Sequence, residues 1–77
     1  MSVQAYILIQ TEVGKANSVA AAIKAIPGVS LAEGVTDPYD VIMRAEAPSM
    51  EEFGRAILSK VQAVPGITRT LTCPVTN

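Results

Sequence analysis

A repeated five-residue motif is the feature that most constrains how this chain folds. Ile26-Pro27-Gly28-Val29-Ser30 recurs thirty-eight positions later as Val64-Pro65-Gly66-Ile67-Thr68. Proline cannot continue a helix and glycine allows the turn that follows, so each copy marks the end of a helix and the start of a strand. We therefore expect the 77 residues to form a single domain, 1–77, built from two similar halves.

Hydrophobic spacing gives each half the same order of elements. Apolar residues three or four positions apart form one stripe before each copy of the motif: Val19, Ile23 and Ile26 in the first half, and Met50, Phe53, Ile57, Val61 and Val64 in the second. This spacing predicts helices over 14–26 and 49–63, with strands near 3–11, 28–36, 39–47 and 66–74. The order βαββαβ predicts an α+β, ferredoxin-like fold: a four-stranded antiparallel sheet with two helices on one face.

Three local signals refine this plan. Ser49 followed by Glu52 matches a capping box, in which the hydroxyl accepts from the Glu52 amide and the carboxylate returns to the cap. Gly14 is the expected start of the first helix. Asp37-Pro38 separates the two middle strands and predicts a tight, two-residue hairpin.

Composition excludes several classes of function. The formal net charge is −1 and the six basic residues are dispersed, so we expect no direct nucleic-acid binding. No apolar run is long enough to span a membrane, and Met1-Ser2-Val3-Gln4 does not resemble a signal peptide, which favours a cytoplasmic location. One cysteine and no histidine argue against an internal disulfide, a metal site and a cofactor. A hydrophobic content of 49% exceeds what a small core can hide, which indicates self-association.

The sequence offers no catalytic constellation, so we do not expect an enzyme. No histidine is present to act as a base, and Cys73 is interpreted as a small packing residue. Asp37 and Asp40 flank Tyr39 and could share a proton, but an aspartate in a hairpin more often bonds its own turn. Asp40 is expected either to cap hairpin amides or to receive an ammonium group. An acid, an aromatic ring and free amides suit a small zwitterion better than they suit a reaction.

The face of the sheet that carries no helices is expected to mix apolar and polar side chains. In the last strand, Thr70 and Thr72 share one face, and Arg69, Leu71 and Cys73 share the other. Such a face suits an interface between copies. An ordinary amphipathic strand surface is the alternative.

Five segments together resemble a known family. They are Ala5-Tyr6-Ile7-Leu8-Ile9, Thr11-Glu12-Val13-Gly14-Lys15, Ile26-Pro27-Gly28-Val29, Val35-Thr36-Asp37-Pro38-Tyr39-Asp40-Val41-Ile42 and Val64-Pro65-Gly66-Ile67-Thr68-Arg69-Thr70. In order and spacing they resemble the effector-binding domain, or RAM domain, of the Lrp/AsnC (feast/famine) transcriptional regulators. The resemblance runs from about Val3 to Cys73.

The resemblance implies more than the residues show by themselves. The family domain dimerises through its sheets, its dimers assemble into rings, commonly octamers, and an amino-acid effector binds between dimers. The ligand-binding positions it implies are Thr36, Asp37, Tyr39, Asp40, Thr70 and Thr72. Asp37 stands where the family usually has glycine, which is expected to change the fit of the effector.

Full-length members of the family carry an N-terminal helix-turn-helix domain, whereas only Met1-Ser2 precedes the first predicted strand here. The resemblance therefore implies a stand-alone, non-catalytic domain that senses amino acids or co-assembles with full-length regulators. Two alternatives remain open. One is a purely structural assembly partner that binds no effector, and the other is a small dimeric α+β barrel enzyme. A related ACT-type allosteric module is a further alternative, although such modules are usually fused to an enzyme.

Overall fold

The structure, a computed structural model, describes residues 2–76 as six elements of secondary structure. The strands are β1 (Val3–Thr11), β2 (Val29–Gly34), β3 (Val41–Ala47) and β4 (Ile67–Pro74), and the first helix is α1 (Ala16–Lys24). The second helix, α2 (residues 50–62), runs continuously through α-helical Met50–Glu52, π-helical Phe53–Leu58 and α-helical Ser59–Gln62. The sheet order is β2-β3-β1-β4 with antiparallel neighbours, so the predicted ferredoxin-like βαββαβ fold is confirmed.

The core lies between the two helices and one face of the sheet. Alternate residues of the central strands are fully buried, as a strand with one covered face requires. They pack against the apolar stripes of both helices. The largest of these fully buried side chains are Ile7, Ile9, Val41, Met43, Val19, Ile23, Phe53, Ile57 and Val61. Met50 was predicted to belong to the stripe but is 51% exposed, because it begins α2 and the buried stripe starts one turn later, at Phe53.

The π-helical turn explains how α2 keeps its stripe in line. Phe53, Ile57 and Val61 are spaced by four, and each such step rotates a side chain about 40° beyond a full turn of an α-helix. The wider turn over Phe53–Leu58, in which the Ser59 N–H donates to the Gly54 carbonyl, reduces that drift. All three side chains are consequently buried against the same face of the sheet.

Both helices end earlier than predicted. The amides of Ala25 and Ile26 donate to carbonyls three residues back, on Ala22 and Ile23 at 3.3 and 3.0 Å. This tighter bonding closes the last turn before Pro27, so α1 ends at Lys24. The repeat in the second half behaves in the same way, since the Val64 amide donates to the Val61 carbonyl at 3.1 Å.

The starts of the helices differ from each other. Gly14 has a φ of 81° and lies in a turn where the Lys15 amide donates to Glu12, so the prediction that it starts α1 is wrong, and the helix begins at Ala16. At α2, the Ser49 hydroxyl accepts from the Glu52 amide at 3.2 Å, as predicted. The Glu52 carboxylate pairs with Arg55 rather than returning to the cap, so only half of the capping box forms within residues 2–76.

Two equivalent hydrogen bonds join the two halves of the repeat. The Glu46 amide at the end of β3 donates to the Gly28 carbonyl at 2.9 Å, and the Glu12 amide that follows β1 donates to the Gly66 carbonyl at 2.8 Å. Gly28 and Gly66 have φ values of 97° and 95°. The repeated Pro-Gly motif thus places one carbonyl of each half against the strand end of the other half.

The remaining face of the sheet, here called the open face, carries no helix. Tyr6 lies opposite Arg44 across β1 and β3, and Leu8 lies opposite both Ile42 of β3 and Leu71 of β4. Leu71 is 46% exposed. The predicted mixture is confirmed, because the strands place twelve side chains there: Gln4, Tyr6, Leu8, Gln10, Leu31, Glu33, Ile42, Arg44, Glu46, Arg69, Leu71 and Cys73.

The packing around Gly28 gives a testable consequence. A Cβ at this position would lie 3.0 Å from the Glu46 carbonyl oxygen and 3.2 Å from Ile57 Cδ1, whereas a Cβ at Gly14 would meet nothing within 4 Å. Both glycines have positive φ, so alanine at either costs about 1–2 kcal/mol in conformational energy. We expect Gly28→Ala to lower the free energy of unfolding by at least about 1 kcal/mol more than Gly14→Ala, measured by urea unfolding at one protein concentration. Equal losses would show that the close approach to Glu46 is unimportant.

Candidate functional site

The predicted site residues Thr36, Asp37, Tyr39 and Asp40 lie in the loop that joins β2 to β3. This loop spans residues 35–40, because β2 ends at Gly34 and β3 begins at Val41. The prediction of a two-residue hairpin is therefore wrong. Pro38 has no N–H to donate to a β2–β3 strand ladder, and the Asp40 N–H donates to the Ile9 carbonyl of β1 rather than to β2. The Asp37–Pro38 peptide bond is cis.

Strand β1 holds the loop in place with three hydrogen bonds at its C-terminal end. The Asp40 N–H donates to the Ile9 carbonyl at 2.9 Å, and the Gln10 side-chain amide donates to the Pro38 carbonyl at 2.9 Å. The third bond, like the second, is donated by β1, from the Thr11 N–H to Asp40 Oδ2 at 2.8 Å. Both backbone and side chains of the loop are therefore fixed against a central strand.

The Asp40 carboxylate acts as an acceptor in place of a strand carbonyl. It receives the Thr11 amide just where the β1–β3 ladder, which runs as far as Ile9 and Val41, stops. Asp40 therefore caps an amide, but that amide belongs to β1, so the expectation that it caps hairpin amides is wrong about the partner. Only Oδ2 makes this bond, so Oδ1 is left as an acceptor at the surface of the half-buried residue.

Exposure divides the loop into a tip and a base. Thr36, Asp37 and Pro38 are exposed, while Tyr39 and Asp40 are half-buried. The tip therefore presents a hydroxyl and a carboxylate to solvent, and the base presents a phenol ring and the second oxygen of Asp40. These groups can donate to a carboxylate or accept from an ammonium group.

The two threonines predicted from β4 lie apart from the loop. Thr70 pairs with Ile9 and Thr72 with Ile7, so both share the helix-covered side of the sheet and are half-buried. Thr70 lies on the strand next to β1, opposite Ile9, and the Ile9 carbonyl is the group that accepts the Asp40 amide of the loop. Thr72 lies two residues further down the strand. Within residues 2–76, no hydrogen bond joins either threonine to the loop.

Two surface clefts lie elsewhere on the protomer. One, of about 560 Å³, is lined by Ser2, Gly28, Glu46, Ala47 and Pro48 at the end of the sheet opposite the loop. The other, of about 410 Å³, runs along the outer edge of β2 beside Lys24. Neither is lined by any of the six predicted site residues.

Other chemistry is sparse in the described part of the chain. Residues 2–76 contain no group of three or more Cys, Asp or Glu side chains placed to hold a metal ion. Cys73 is a free, exposed thiol on the open face. None of the helices between residues 2 and 76 is both long and apolar enough to cross a membrane.

Comparison with protein families decides the identity of the domain. The model of the Lrp/AsnC ligand binding domain matches residues 4–77, nearly the whole chain. The chain belongs to the Lrp/AsnC ligand-binding domain family. The resemblance drawn from the five sequence segments is thereby confirmed.

Solved structures resemble this Lrp/AsnC domain closely in fold. FFRP-DM1 superimposes with a TM-score of 0.89 at 31% identity, over 96% of this chain and 99% of that one. Escherichia coli AsnC gives a TM-score of 0.88 at 21% identity, over 97% of this chain and 51% of AsnC. The transcriptional regulator NMB0573 of Neisseria meningitidis, solved as a complex with L-Met, gives 0.83 at 21% identity, over 97% of this chain and 50% of the regulator.

The domain therefore spans about half the length of AsnC and of the Neisseria regulator. Below 25% identity, these likenesses establish the fold alone. A search of curated protein sequences finds no significant match to this chain.

Sequence reasoning missed the part of this Lrp/AsnC domain that holds its loop. Ile9, Gln10 and Thr11 supply all three contacts from β1, twenty-eight or more positions away in sequence. The signal available was Gln10, a polar residue ending an apolar run. The hydrogen-bond partner of Gln10 cannot be assigned from the sequence, because it depends on the sheet order that places β1 beside β3.

The bond between Asp40 and Thr11 can be tested by substitution. Asp40→Ala leaves the half-buried Thr11 N–H without its acceptor, so we expect the free energy of unfolding to fall by about 1–3 kcal/mol. Asp40→Asn keeps an oxygen at the same place and is expected to lose less. Hydrogen exchange at the Thr11 amide should speed up in Asp40→Ala and change little in Asp40→Asn.

Asp37→Ala is the matched control in the same loop. Its side chain is exposed, so we expect a change within about 0.5 kcal/mol and no effect on Thr11 exchange. A loss in Asp37→Ala as large as that in Asp40→Ala would contradict a specific role for the Asp40 carboxylate.

Proposed function

We propose that this domain is a non-catalytic, oligomeric amino-acid sensor that works in the cytoplasm. The observation that carries the proposal is the match of residues 4–77 to a ligand-binding domain family. The loop supports it, because its hydroxyl, backbone amides and carboxylates suit the binding of a small zwitterion. The ligand changes how copies of the domain assemble, either with one another or with full-length Lrp/AsnC regulators.

An amino acid is the ligand class that fits the loop best. A zwitterion needs donors for its carboxylate and an acceptor for its ammonium group. The Thr36 hydroxyl and loop amides supply the first, and Oδ1 of Asp40, which is not engaged by Thr11, supplies the second. Tyr39 offers an apolar ring to the ligand side chain. The Neisseria regulator was solved with L-Met, which makes an amino acid a reasonable class to test here.

The site is proposed to be completed by further copies of the domain. Thr36 and Asp37 are exposed, and neither described cleft encloses the loop, so one protomer gives a ligand little burial. A binding site normally buries most of a small ligand. In this proposal, pairs of copies meet through the open face and pairs then meet around the loops. Thr70 and Thr72 would belong to the site through the helix-side edge of β4.

A second candidate is a structural partner that assembles with full-length regulators and binds no effector. Asp37 favours it, because the exposed carboxylate stands in the loop where a ligand carboxylate is expected to approach. The negative charge of Asp37 repels the negative charge of a ligand carboxylate that approaches it. The two candidates differ only in whether an amino acid stabilises the assembly.

The sensing proposal is tested by thermal unfolding in the presence of each of the twenty amino acids. A ligand that binds only the folded state adds about 2.7 kcal/mol at one hundred times its Kd, so at least one amino acid should raise Tm in proportion to the logarithm of its concentration. Light scattering on the same samples should show a dimer or larger assembly. If no amino acid raises Tm at millimolar concentration while the assembly persists, the structural candidate is favoured.

Asp37→Gly and Asp40→Asn are the informative variants in that screen. Removing the exposed acid should raise the affinity for the amino acid if Asp37 repels the ligand carboxylate. Asp40→Asn keeps the bond to Thr11 but loses the negative charge opposite the ammonium group, and should weaken binding. An amino acid that stabilises all three proteins equally would bind somewhere other than this loop.

A further inference from the structure

Arg44 places a positive charge in the middle of the open face. Four side chains occupy the centre of this face, at facing positions of the two inner strands: Tyr6 opposite Arg44, and Leu8 opposite Ile42. Three of the four are apolar or aromatic, and all four are half-buried. Arginine at such a position has to find acceptors if the face becomes covered, because a desolvated guanidinium without partners is costly.

Two neighbours hold the Arg44 guanidinium in place. Its carbon lies 5.5 Å from the centroid of the Tyr6 ring, a cation–π arrangement. Nη2 donates to the side-chain oxygen of Gln4, the next residue on the same face of β1. A guanidinium has five N–H donors, so these contacts orient the group and leave most of its donors free.

Acids lie close to Arg44 on the same face but do not pair with it. Glu46 is two residues further along β3, and Glu33 of β2 lies opposite Ile42. Both glutamates are exposed, and within residues 2–76 the one recorded ion pair joins Arg55 to Glu52 on α2. The strands therefore present two carboxylates and a guanidinium, none of them in an ion pair within residues 2–76, on one mixed surface.

The open face carries equal numbers of positive and negative side chains. Its strand residues include two arginines, Arg44 and Arg69, and two glutamates, Glu33 and Glu46, so their net charge is zero. A two-fold contact between identical surfaces places each residue against a residue of the other copy, and a balanced face can satisfy itself in this way. A strongly acidic or basic partner would leave half of these charges unpaired.

Taking the pairing of copies through the open face from the proposed function, we propose that the Arg44 guanidinium receives a carboxylate of the second copy, Glu33 or Glu46. The inference deepens the proposed function and rests on its assembly step. Arg44 is then the residue that selects the partner and sets how the two sheets are aligned. Leu8, Ile42 and Leu71 supply apolar area without such selectivity.

The first test compares two variants with the same loss of charge. Arg44→Gln is expected to raise the dimer Kd at least about thirty-fold in analytical ultracentrifugation, because it leaves a buried carboxylate unpaired. Arg55→Gln removes an exposed arginine from α2, away from the open face, and is expected to leave the Kd within about three-fold. Circular dichroism of each variant checks that the fold is retained.

The second test exchanges the charges between copies. Arg44→Glu should not pair with itself, since it places acids together, but should form a mixed dimer with either Glu33→Arg or Glu46→Arg. Native mass spectrometry of the mixtures identifies the mixed dimer and shows which glutamate is the partner. If Arg44→Glu fails to fold, the same mixing is done with Arg44→Gln, which should then pair less well with wild type than wild type does with itself.

The outcomes separate this inference from the proposed function. A wild-type dimer that is indifferent to Arg44→Gln and Arg44→Glu overturns the role of Arg44 and leaves the proposed assembly standing. Loss of the dimer without recovery in either mixture also overturns it, because Arg44 then acts through its packing on Tyr6. A wild-type protein that is monomeric at tens of micromolar overturns both this inference and the assembly proposal, and assigns the open face to another occupant.

Discussion

The pairing of β1 with a neighbour on each side is the constraint on which the rest of the structure depends. β1 bonds to β3 over Val3–Ile9 and to β4 over Ala5–Thr11, and its Ala5, Ile7 and Ile9 side chains lie fully buried in the core. Its last residues then hold the loop of residues 35–40, after the β3 ladder has stopped. One strand thus fixes the sheet order, the core and the position of the candidate site.

The sheet separates two kinds of surface by the two-residue period of its strands. Ile7 and Ile9 face the helices and are fully buried, whereas Tyr6 and Leu8 face away from the helices and are half-buried in a single protomer. A domain of this size has little apolar area to spare for stability, so half-covered area on the second face is best used against another chain. The Lrp/AsnC domain therefore combines a fully buried core with a second, half-buried apolar surface on the open face.

Most of the fold could be predicted from the sequence because the deciding signals are local. The Pro-Gly repeats, the spacing of Phe53, Ile57 and Val61, and the Ser49 cap each act within one or two turns of chain. The errors have two causes. Gly14 suggested a helix start but takes a positive φ in a local turn, where the Lys15 amide donates to Glu12. Asp37-Pro38 suggested a short hairpin, but a distant partner overrides that local signal, because Asp40 pairs with β1. For the same reason the loop residues of the candidate site could be named, but their anchors on β1 could not.

The reciprocal bonds of Gly28 and Gly66 have a consequence for how the domain folds. Each half of the repeat supplies two strands, yet β1 and β2 of the first half are not neighbours, because β3 of the second half lies between them. The turn that closes each half is likewise completed by an amide of the other half. Neither half can make a sheet or finish its own turn alone, so the repeat yields one cooperative unit rather than two separable ones. The two halves are similar in structure, but each depends on the other for its stability.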